Sequence, residues 1–412
     1  MSWQILETTG NTLQIKYEKN KLQSYEQKES SSKIFKLIEN GKRAVVTGEF
    51  ETSDEELMSS AREYIPYGYD VDYDFPEKLD LKDKSTLSSE YFSLLKEKHI
   101  QEIGDEIVQK ISSKYPQMAV DLKIVKAHHK IHIRNSYDVD GTFEKDTFII
   151  DLLFTSCSEN DIFFWGENFS TLPQNVFEIW NWLQQTMDKL DQLQTFSDIK
   201  AGSYPFLFPP EVVSSCLLPV LDAGFGARTL ENKSSPLLSK VDTRVLSKDV
   251  NIVEEAKYIP FDLDGIASVP KTYFENGTLK TLPVLLSSSN KLKLAPNGAN
   301  YGSSYYTDLS FRAGSHNLDD MIATIQEGIY LLMSGDMTQG QIINGDLSGT
   351  IMVALHIKNG KIVGRIKGKT LSCNFYKMLN EDLLALSKET KTFGSQSFVQ
   401  CPYVLSKNIS VV

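Results

Sequence analysis

Residues 326–379 constrain the fold more than any other part of this 412-residue chain. Asn344-Gly345-Asp346 and Asn359-Gly360 are typical of tight turns, in which glycine supplies a positive φ and asparagine or aspartate satisfies the turn amides. The apolar residues on both sides of Asn359-Gly360 predict two strands joined there. The apolar run before the first turn is predicted to be the end of a helix that begins after Asn317 and ends near Ser334.

Composition and charge exclude several classes of protein. The chain has 54 acidic and 43 basic residues and a formal net charge of −11, which disfavours dedicated binding to nucleic acid. No run of about 18 apolar residues predicts a membrane span, and the first residues lack the basic and apolar regions of a secretory signal. The four cysteines are far apart and form no C-x-x-C motif, so we expect a cytoplasmic protein with reduced cysteines.

A change in sequence texture near residue 200 divides the chain into two predicted domains, 1–198 and 199–412. The first alternates strand-like and helical segments, with strands predicted over 3–50 and 120–166 and helices over 53–64, 87–115 and 176–190. The second is rich in Asn-Gly and Asp-Gly turns, with helices predicted after Pro210 and around 375–388. We therefore predict an α+β fold, in which an N-terminal mixed α/β domain precedes a largely antiparallel, β-rich C-terminal domain.

Several motifs resemble those of one protein family. Its N-G-D-x-S turn and its later K-N-G hairpin look like Asn344-Gly345-Asp346-Leu347-Ser348 and Lys358-Asn359-Gly360. Its F-D-x-E-G and E-N-G-x-L-K elements resemble Phe261-Asp262-Leu263-Asp264-Gly265 and the segment 275–280. These motifs make the chain similar to the TldD/PmbA proteins, also called modulators of DNA gyrase. The resemblance is strong after residue 200 and looser before it.

The helix after Pro209 determines which branch of that family the chain resembles. In the TldD branch this helix carries H-E-x-x-x-H, whose histidines bind zinc together with a later cysteine, while the glutamate is the general base. Here the segment reads Pro210-Glu211-Val212-Val213-Ser214-Ser215-Cys216-Leu217 and has no histidine, as in the PmbA (TldE) branch. The resemblance therefore implies a member with no catalytic or metal-binding residues and no cofactor of its own. It implies zinc in a TldD-like partner subunit.

Other candidate sites have simpler interpretations. His128 and His132 would share one face of a strand with Lys130 between them, and a cation between two ligands disfavours a metal site. Cys401, near the end of the chain, is predicted to be packed in the core. The acidic segment 70–81 imitates a calcium loop but lacks the glycine and the glutamate that such loops need at positions six and twelve.

Three functions remain open from the sequence. The resemblance implies a PmbA/TldE-like subunit of a TldD/TldE-type metalloprotease involved in peptide processing or degradation. The alternatives are a stand-alone peptidase with an unrecognised site and a non-enzymatic, peptide-binding homodimer. Asn344, Gly345, Asp346 and Ser348 are either a structural turn or one wall of a groove for an extended peptide, since β-rich domains bind peptides by strand addition. Neither nucleic acid nor a membrane is expected as a partner.

Overall fold

Two β-sheets, one from each half of the chain, organise the fold. The computed structural model describes residues 1–78, 92, 94–158, 161–171, 173–302, 304–337, 340–394 and 397–412. Within these residues the first sheet contains β1 (Ser2–Glu18), β2 (Lys21–Glu39), β3 (Lys42–Gly48), β4 (Tyr69–Asp70), β5 (Ala119–Asn135), β6 (Asp140–Ser158) and β7 (Asp161–Thr171). Its spatial order is β4-β3-β2-β1-β5-β6-β7, and every neighbouring pair is antiparallel. The strands predicted over 3–50 and 120–166 are confirmed.

Three helices accompany the first sheet: α1 (Asp54–Tyr64), α2 (Glu97–Lys114) and α3 (Ile179–Gln192). The predicted capping box begins α1, because the Ser53 side chain accepts from the Glu56 N–H and the Glu56 carboxylate accepts from the Ser53 N–H. Part of the helix predicted over 87–115 lies outside the described residues, and the remainder is α2. None of the helices in the described part of the chain is long and apolar enough to cross a membrane.

The second sheet is built from the C-terminal half. Its strands in the described residues are β8 (Gly202–Phe208), β9 (Ile252–Glu254), β10 (Lys271–Glu275), β11 (Thr278–Leu279), β12 (Asp308–Phe311), β13 (Glu327–Ser334), β14 (Asp346–Lys358), β15 (Lys361–Ile366), β16 (Lys369–Asn374), β17 (Leu383–Phe393) and β18 (Phe398–Val411). The order is β11-β10-β9-β12-β18-β16-β14-β13-β8, with β15 on β14 and β17 on β18. Because β8 also pairs with β18, five of these strands close into a ring.

The described helices of this half are α4 (Pro210–Phe225), α5 (Ala227–Glu231), α6 (Ser289–Leu292), α7 (Leu318–Ala323) and α8 (Phe375–Met378). Pairing in the second sheet is antiparallel except between β12 and β18 and between β13 and β8. The predicted α+β class, with a largely antiparallel C-terminal half, is confirmed. The two sheets divide between the predicted domains 1–198 and 199–412, and that division stays a prediction.

The segment 326–379 forms its predicted hairpin but not its predicted helix. β14 and β15 meet at Asn359-Gly360, where both residues have positive φ and Lys358 pairs with Lys361. The helix predicted to reach Ser334 is wrong beyond Ala323, because the apolar run belongs to β13. Ile329, Tyr330, Leu331 and Leu332 are all buried, so both faces of this strand are covered. A strand buried on both faces has no alternation, and a short apolar run cannot be distinguished from a helix by period.

A second predicted helix is also mostly wrong. The segment 375–388 contains only the single turn of α8, and β17 begins at Leu383 and pairs with β18. Pairing with β18, the next strand along the chain, overrides the local helical preference of this segment. The correction matters for function, because β17 lines the cleft described below.

The two halves share buried contacts where they meet. One apolar cluster includes Trp165 from the first half and Leu207, Tyr330 and Leu355 from the second. Elsewhere, a buried ion pair of 3.1 Å joins Lys36 of β2 to Asp264 in the second half. These contacts fix the first sheet against the second, so a cleft between them has defined walls.

Gly277 offers a test of the turn chemistry in the E-N-G element. Its φ is +73°, and an added Cβ would lie 2.1 Å from the carbonyl oxygen of Leu246. We expect Gly277→Ala to lower the free energy of unfolding by at least about 2 kcal/mol, because left-handed strain and a backbone clash add. Gly368→Ala is the control, since Gly368 has φ +70° but no atom within 4 Å of the added Cβ. If both variants lose the same free energy of unfolding in urea, the structure relieves the clash at Gly277 without cost.

Candidate functional site

A cleft of about 550 Å³ lies between the two halves of the chain. β7 and α3 form one side, and α7, β13, β15, β17 and β18 contribute to the other. Its lining mixes aromatic rings, among them Trp182, Tyr330 and Tyr403, with many polar side chains. Clefts of this size with a few buried polar groups are typical of binding sites.

Two edge strands approach each other at this cleft. β7 is the last strand of the first sheet. β17 pairs with β18 on one side, and on the other side Gly314 and His316 make backbone hydrogen bonds with its residues 386–388. The N–H of Gly394, just after β17, donates to Oγ of Ser170 in β7 at 3.0 Å. Edge strands carry backbone N–H and C=O groups that an extended peptide can pair with.

The helix that resembles the zinc helix begins beside this cleft. Pro210 occupies its first turn, where a proline loses no hydrogen bond, and Glu211 follows it, where the helix dipole favours a carboxylate. Val212, Val213 and Val220 are buried, as expected for a helix whose apolar face packs in the core. The side chains of Cys216 and Leu217 lie outside the described part of the helix.

The carboxylate of Glu211 forms an ion pair with a lysine and is only partly exposed to solvent. Lys391 of β17 forms an ion pair with it at 2.6 Å, and both side chains are less than a quarter exposed. Next to it, Lys189 of α3 forms an ion pair with Glu167 of β7, also at 2.6 Å. Four elements therefore bring two lysines and two glutamates together in one cluster, which we call the Lys–Glu cluster.

The charges in the Lys–Glu cluster stabilise one another. Burial alone would raise the pKa of the Glu211 carboxyl, but the positive charges of Lys189 and Lys391 lower it to about 2. Burial alone would lower the pKa of Lys189, whereas the charges of Glu167 and Glu211 hold that pKa well above its usual value. Glu211 and Lys189 are therefore both ionised at neutral pH.

A smaller cavity of about 280 Å³ lies on the other side of the Lys–Glu cluster. It shares Asn168 and Lys189 with the cleft, and Leu152, Pro209 and Leu332 give it apolar walls. Both glutamates of the cluster line it. In each of them Oε2 is buried and has no hydrogen-bond partner among the described residues. Buried carboxylate oxygens normally have donors, so these two atoms mark a place where a donor group can bind.

The other positions that the resemblance would assign to a zinc site hold other residue types or are packed in the core. If the motif is aligned on Glu211, its histidine positions are Pro210 and Ser215, and the Ser215 hydroxyl donates to the carbonyl of Val212. Cys401 is fully buried, which confirms the prediction that it is packed. Burial, with a smaller contribution from Glu211, raises the pKa of its thiol. No group of three potential metal ligands occurs in the described residues.

Two of the histidines of β5 bind carboxylates. His128 lies 2.7 Å from Asp146, and His132 lies between Glu7 at 2.9 Å and Asp140 at 3.0 Å. These contacts tie β5 to β6 and β1. They give His128 and His132 structural partners in the first sheet.

The predicted groove residues form a turn at the start of β14. Gly345 has φ +82°, and the Asn374 side-chain amide donates to the carbonyl of Asn344 and to the carboxylate of Asp346. The N–H of Ser348 donates to the carbonyl of Met337. The structure therefore brings Asn344, Gly345 and Asp346 together as a turn outside the lining of the cleft, and their use as a groove stays a prediction.

Sequence reasoning found Glu211 but missed its partners. Lys189 did carry a signal, because it falls on the same helical face as Trp182 and Thr186, both buried. A lysine on an apolar helix face is rare unless it is paired. Lys391 carried no comparable signal, since it lies on β17, whose first residues were predicted to be helical.

Comparison with known proteins adds a family and a fold. The family model described as PmbA/TldA metallopeptidase C-terminal domain matches residues 201–412. A comparison with curated proteins finds no match. Three solved structures are similar over 100% of this chain: TldE from Thermococcus kodakarensis, and proteins described as modulators of DNA gyrase from Thermotoga maritima MSB8 and Bacteroides thetaiotaomicron VPI-5482.

The TldE structure has a TM-score of 0.89 at 15% identity, with 96% of its chain covered. The Thermotoga protein has a TM-score of 0.87 at 17% identity and 96% coverage. The Bacteroides protein has a TM-score of 0.86 at 16% identity and 94% coverage. At such identities the solved structures establish the fold alone. The family model spans more than half of the chain and establishes the family. The chain belongs to the PmbA/TldA metallopeptidase family.

Proposed function

We propose that this chain is the PmbA/TldE-like subunit of a cytoplasmic TldD/TldE-type metalloprotease that processes or degrades peptides. In this proposal it has no zinc site of its own, and a TldD-like partner supplies the metal and the general base. The observation that carries the proposal is the ion pair between Glu211 and Lys391. The carboxylate of the helix that resembles the zinc helix is already bound by a lysine, with a second lysine nearby.

The chemistry of the cluster disfavours zinc binding. The carboxylate of Glu211 is already balanced by the lysines, so a divalent cation would have to displace Lys391 to bind it. Zinc binds the thiolate form of cysteine, and the raised pKa of Cys401 favours the thiol. In the partner the same helix would carry histidines, so the two subunits would divide the work of metal catalysis and peptide binding.

The cleft supports the part of the proposal that concerns peptides. β7 and β17 offer edge strands for main-chain pairing. Trp182 is buried at the cleft, and its indole N–H has no acceptor among the described residues. A peptide carbonyl is an acceptor that such a donor can bind.

Mixing this chain with a TldD-like protein that carries H-E-x-x-x-H tests the proposal. We expect a hetero-oligomer in light scattering, zinc only in the partner, and hydrolysis of an unfolded peptide by the mixture but not by this chain. A partner variant with both motif histidines replaced by alanine is the control and should bind this chain without hydrolysis.

Two results would overturn the proposal. Stoichiometric zinc and hydrolysis in this chain alone would favour a stand-alone peptidase. A stable homodimer that binds peptides and ignores the TldD-like protein would favour a non-enzymatic role.

A further inference from the structure

The charges that line the cleft are unbalanced. In the described residues its lining has four carboxylates without a lysine or arginine ion pair, which are Glu178, Asp188, Asp319 and Glu389. The two lysines of the lining, Lys189 and Lys391, are already neutralised by the glutamates of the Lys–Glu cluster. A cleft with surplus negative charge and low-dielectric walls concentrates cations.

The smaller cavity continues this pattern in a buried place. The side chain of Glu167 is only 5% exposed; its Oε1 is bound by Lys189, and its Oε2 lacks a donor. Glu211 offers a second such oxygen to the same cavity. Asp151 is the third carboxylate of the lining, and both of its oxygens already have partners, Lys123 and Asn168. The cavity therefore offers two carboxylate oxygens that are free to accept hydrogen bonds from a bound group.

We propose that the smaller cavity receives a basic side chain, preferably arginine, from a peptide that lies in the cleft. The inference rests on the proposed function, which places a peptide there, and it names the side chain that the peptide presents. An arginine has an apolar stem for Leu152, Pro209 and Leu332 and a fork of five N–H donors for the two glutamate oxygens. The shared residues Asn168 and Lys189 place the cavity next to the cleft, within reach of a side chain.

Arginine fits the cavity better than lysine does. Both glutamate oxygens belong to carboxylates that already bind one lysine each, so a compact ammonium would meet two like charges at short range. A planar guanidinium spreads its charge over three nitrogens and has donors for more than one acceptor. We therefore expect an order of affinity in which arginine exceeds lysine, and lysine exceeds neutral side chains.

Peptide binding by the full chain, without any partner, tests this inference. Fluorescence anisotropy would compare labelled peptides that are identical except for a central arginine, lysine, citrulline or norleucine. Citrulline is the decisive comparison, because it keeps the shape of arginine and removes the charge. We expect the arginine peptide to bind about tenfold more tightly than the citrulline peptide, as a charge-assisted pair outweighs a neutral one.

Two variants distinguish the cavity from the general charge of the cleft. Leu152 lines the cavity and pairs with Glu167, so the two side chains lie on the same face of the sheet. Leu152→Phe therefore narrows the space that an arginine side chain would occupy. This variant should bind the arginine and citrulline peptides equally. Asp319→Asn removes one charge of the cleft, so it should weaken the arginine and lysine peptides by a similar factor and leave the preference for arginine intact.

Equal affinities for the arginine and citrulline peptides, or no binding of any peptide, would overturn the inference. Water would then be the hydrogen-bond donor to the two glutamate oxygens. Persistence of the full arginine preference in Leu152→Phe would also overturn it, because the charge of the arginine would then be recognised outside the cavity. These outcomes do not test the proposed function, which is tested by hydrolysis in the presence of a TldD-like protein. A chain that prefers arginine but never joins such a protein would refute the proposed function alone.

Discussion

Replacing Glu211 by glutamine is expected to lower the free energy of unfolding by about 3 kcal/mol at pH 7. The change leaves Lys391 without its partner at 2.6 Å and removes one of the two carboxylates that stabilise the buried Lys189. Removing one member of a mostly buried ion pair is costly because the remaining charge stays desolvated. Urea unfolding followed by circular dichroism measures the loss directly.

The loss should depend on pH in a defined direction. The pKa of Glu211 is about 2 in the folded chain, below its ordinary value of 4.5. A lowered carboxyl pKa stabilises the fold above the unfolded value, and that contribution disappears as pH falls toward the folded value. The difference between the wild type and Glu211→Gln should therefore be full at pH 7 and much smaller at pH 3.

Two further variants test whether charge is the cause. The double variant Glu211→Gln/Lys391→Met removes both charges of the pair and should recover most of the lost stability. Asp242→Asn breaks a surface ion pair with Lys280 of similar length, 2.8 Å, and should cost less than about 0.5 kcal/mol. If Glu211→Gln costs no more than Asp242→Asn, then water screens the Lys–Glu cluster and its charges do not hold the cleft together.

The double variant also separates stability from function. Buried ion pairs can often be replaced by apolar side chains without loss of stability. If the double variant is stable but no longer prefers an arginine peptide, the Lys–Glu cluster contributes binding chemistry more than it contributes to the fold. A stable variant that keeps the preference would place recognition on Glu167 alone.

Local signals in the sequence predicted local structure well. The Asn359-Gly360 hairpin and the helix predicted from residue 53 form as expected, because their geometry is decided by a few adjacent residues. The sequence pattern of Glu211 after two prolines likewise predicted a helix start. Each of these signals acts over fewer than about five residues.

What the sequence did not predict depends on distant partners. β13 is a strand because it lies between β14 and β8, and β8 is more than a hundred residues earlier in the chain. The Lys–Glu cluster has the same character, since Glu167, Lys189, Glu211 and Lys391 come from four different elements. Apart from Lys189 on the apolar face of its helix, these residues look ordinary in their own segments, and only the meeting of the two sheets makes them a site.

Replacing Asp262 by alanine is expected to lower the free energy of unfolding by at least about 4 kcal/mol. The carboxylate is completely buried and accepts four backbone N–H groups. Oδ1 accepts from Asp264 and Ile266 at 2.9 Å, and Oδ2 accepts from Ala299 and Asn300 at 3.1 Å. Each buried N–H that loses its acceptor costs about 1–3 kcal/mol, so the four losses together are large.

A graded control is available in the same half of the chain. Asp308 accepts two backbone N–H groups, from Ala256 at 2.7 Å and from Lys257 at 2.9 Å, so Asp308→Ala should cost about half as much. Asp188→Ala, at an exposed position of α3, should cost less than about 0.5 kcal/mol. Urea unfolding of the three variants should give this order, and equal losses for Asp262→Ala and Asp308→Ala would mean that water replaces the missing acceptor.

The expected loss at Asp262 also bears on the cleft. Asp262 holds the loop that carries Asp264, and Asp264 forms the buried ion pair with Lys36 of the first sheet. The F-D-L-D-G element is therefore an attachment between the two sheets, and its loss would let the two sides of the cleft shift against each other. We expect Asp262→Ala to weaken binding of arginine and citrulline peptides by the same factor, in contrast to Leu152→Phe, which should abolish only the difference between them.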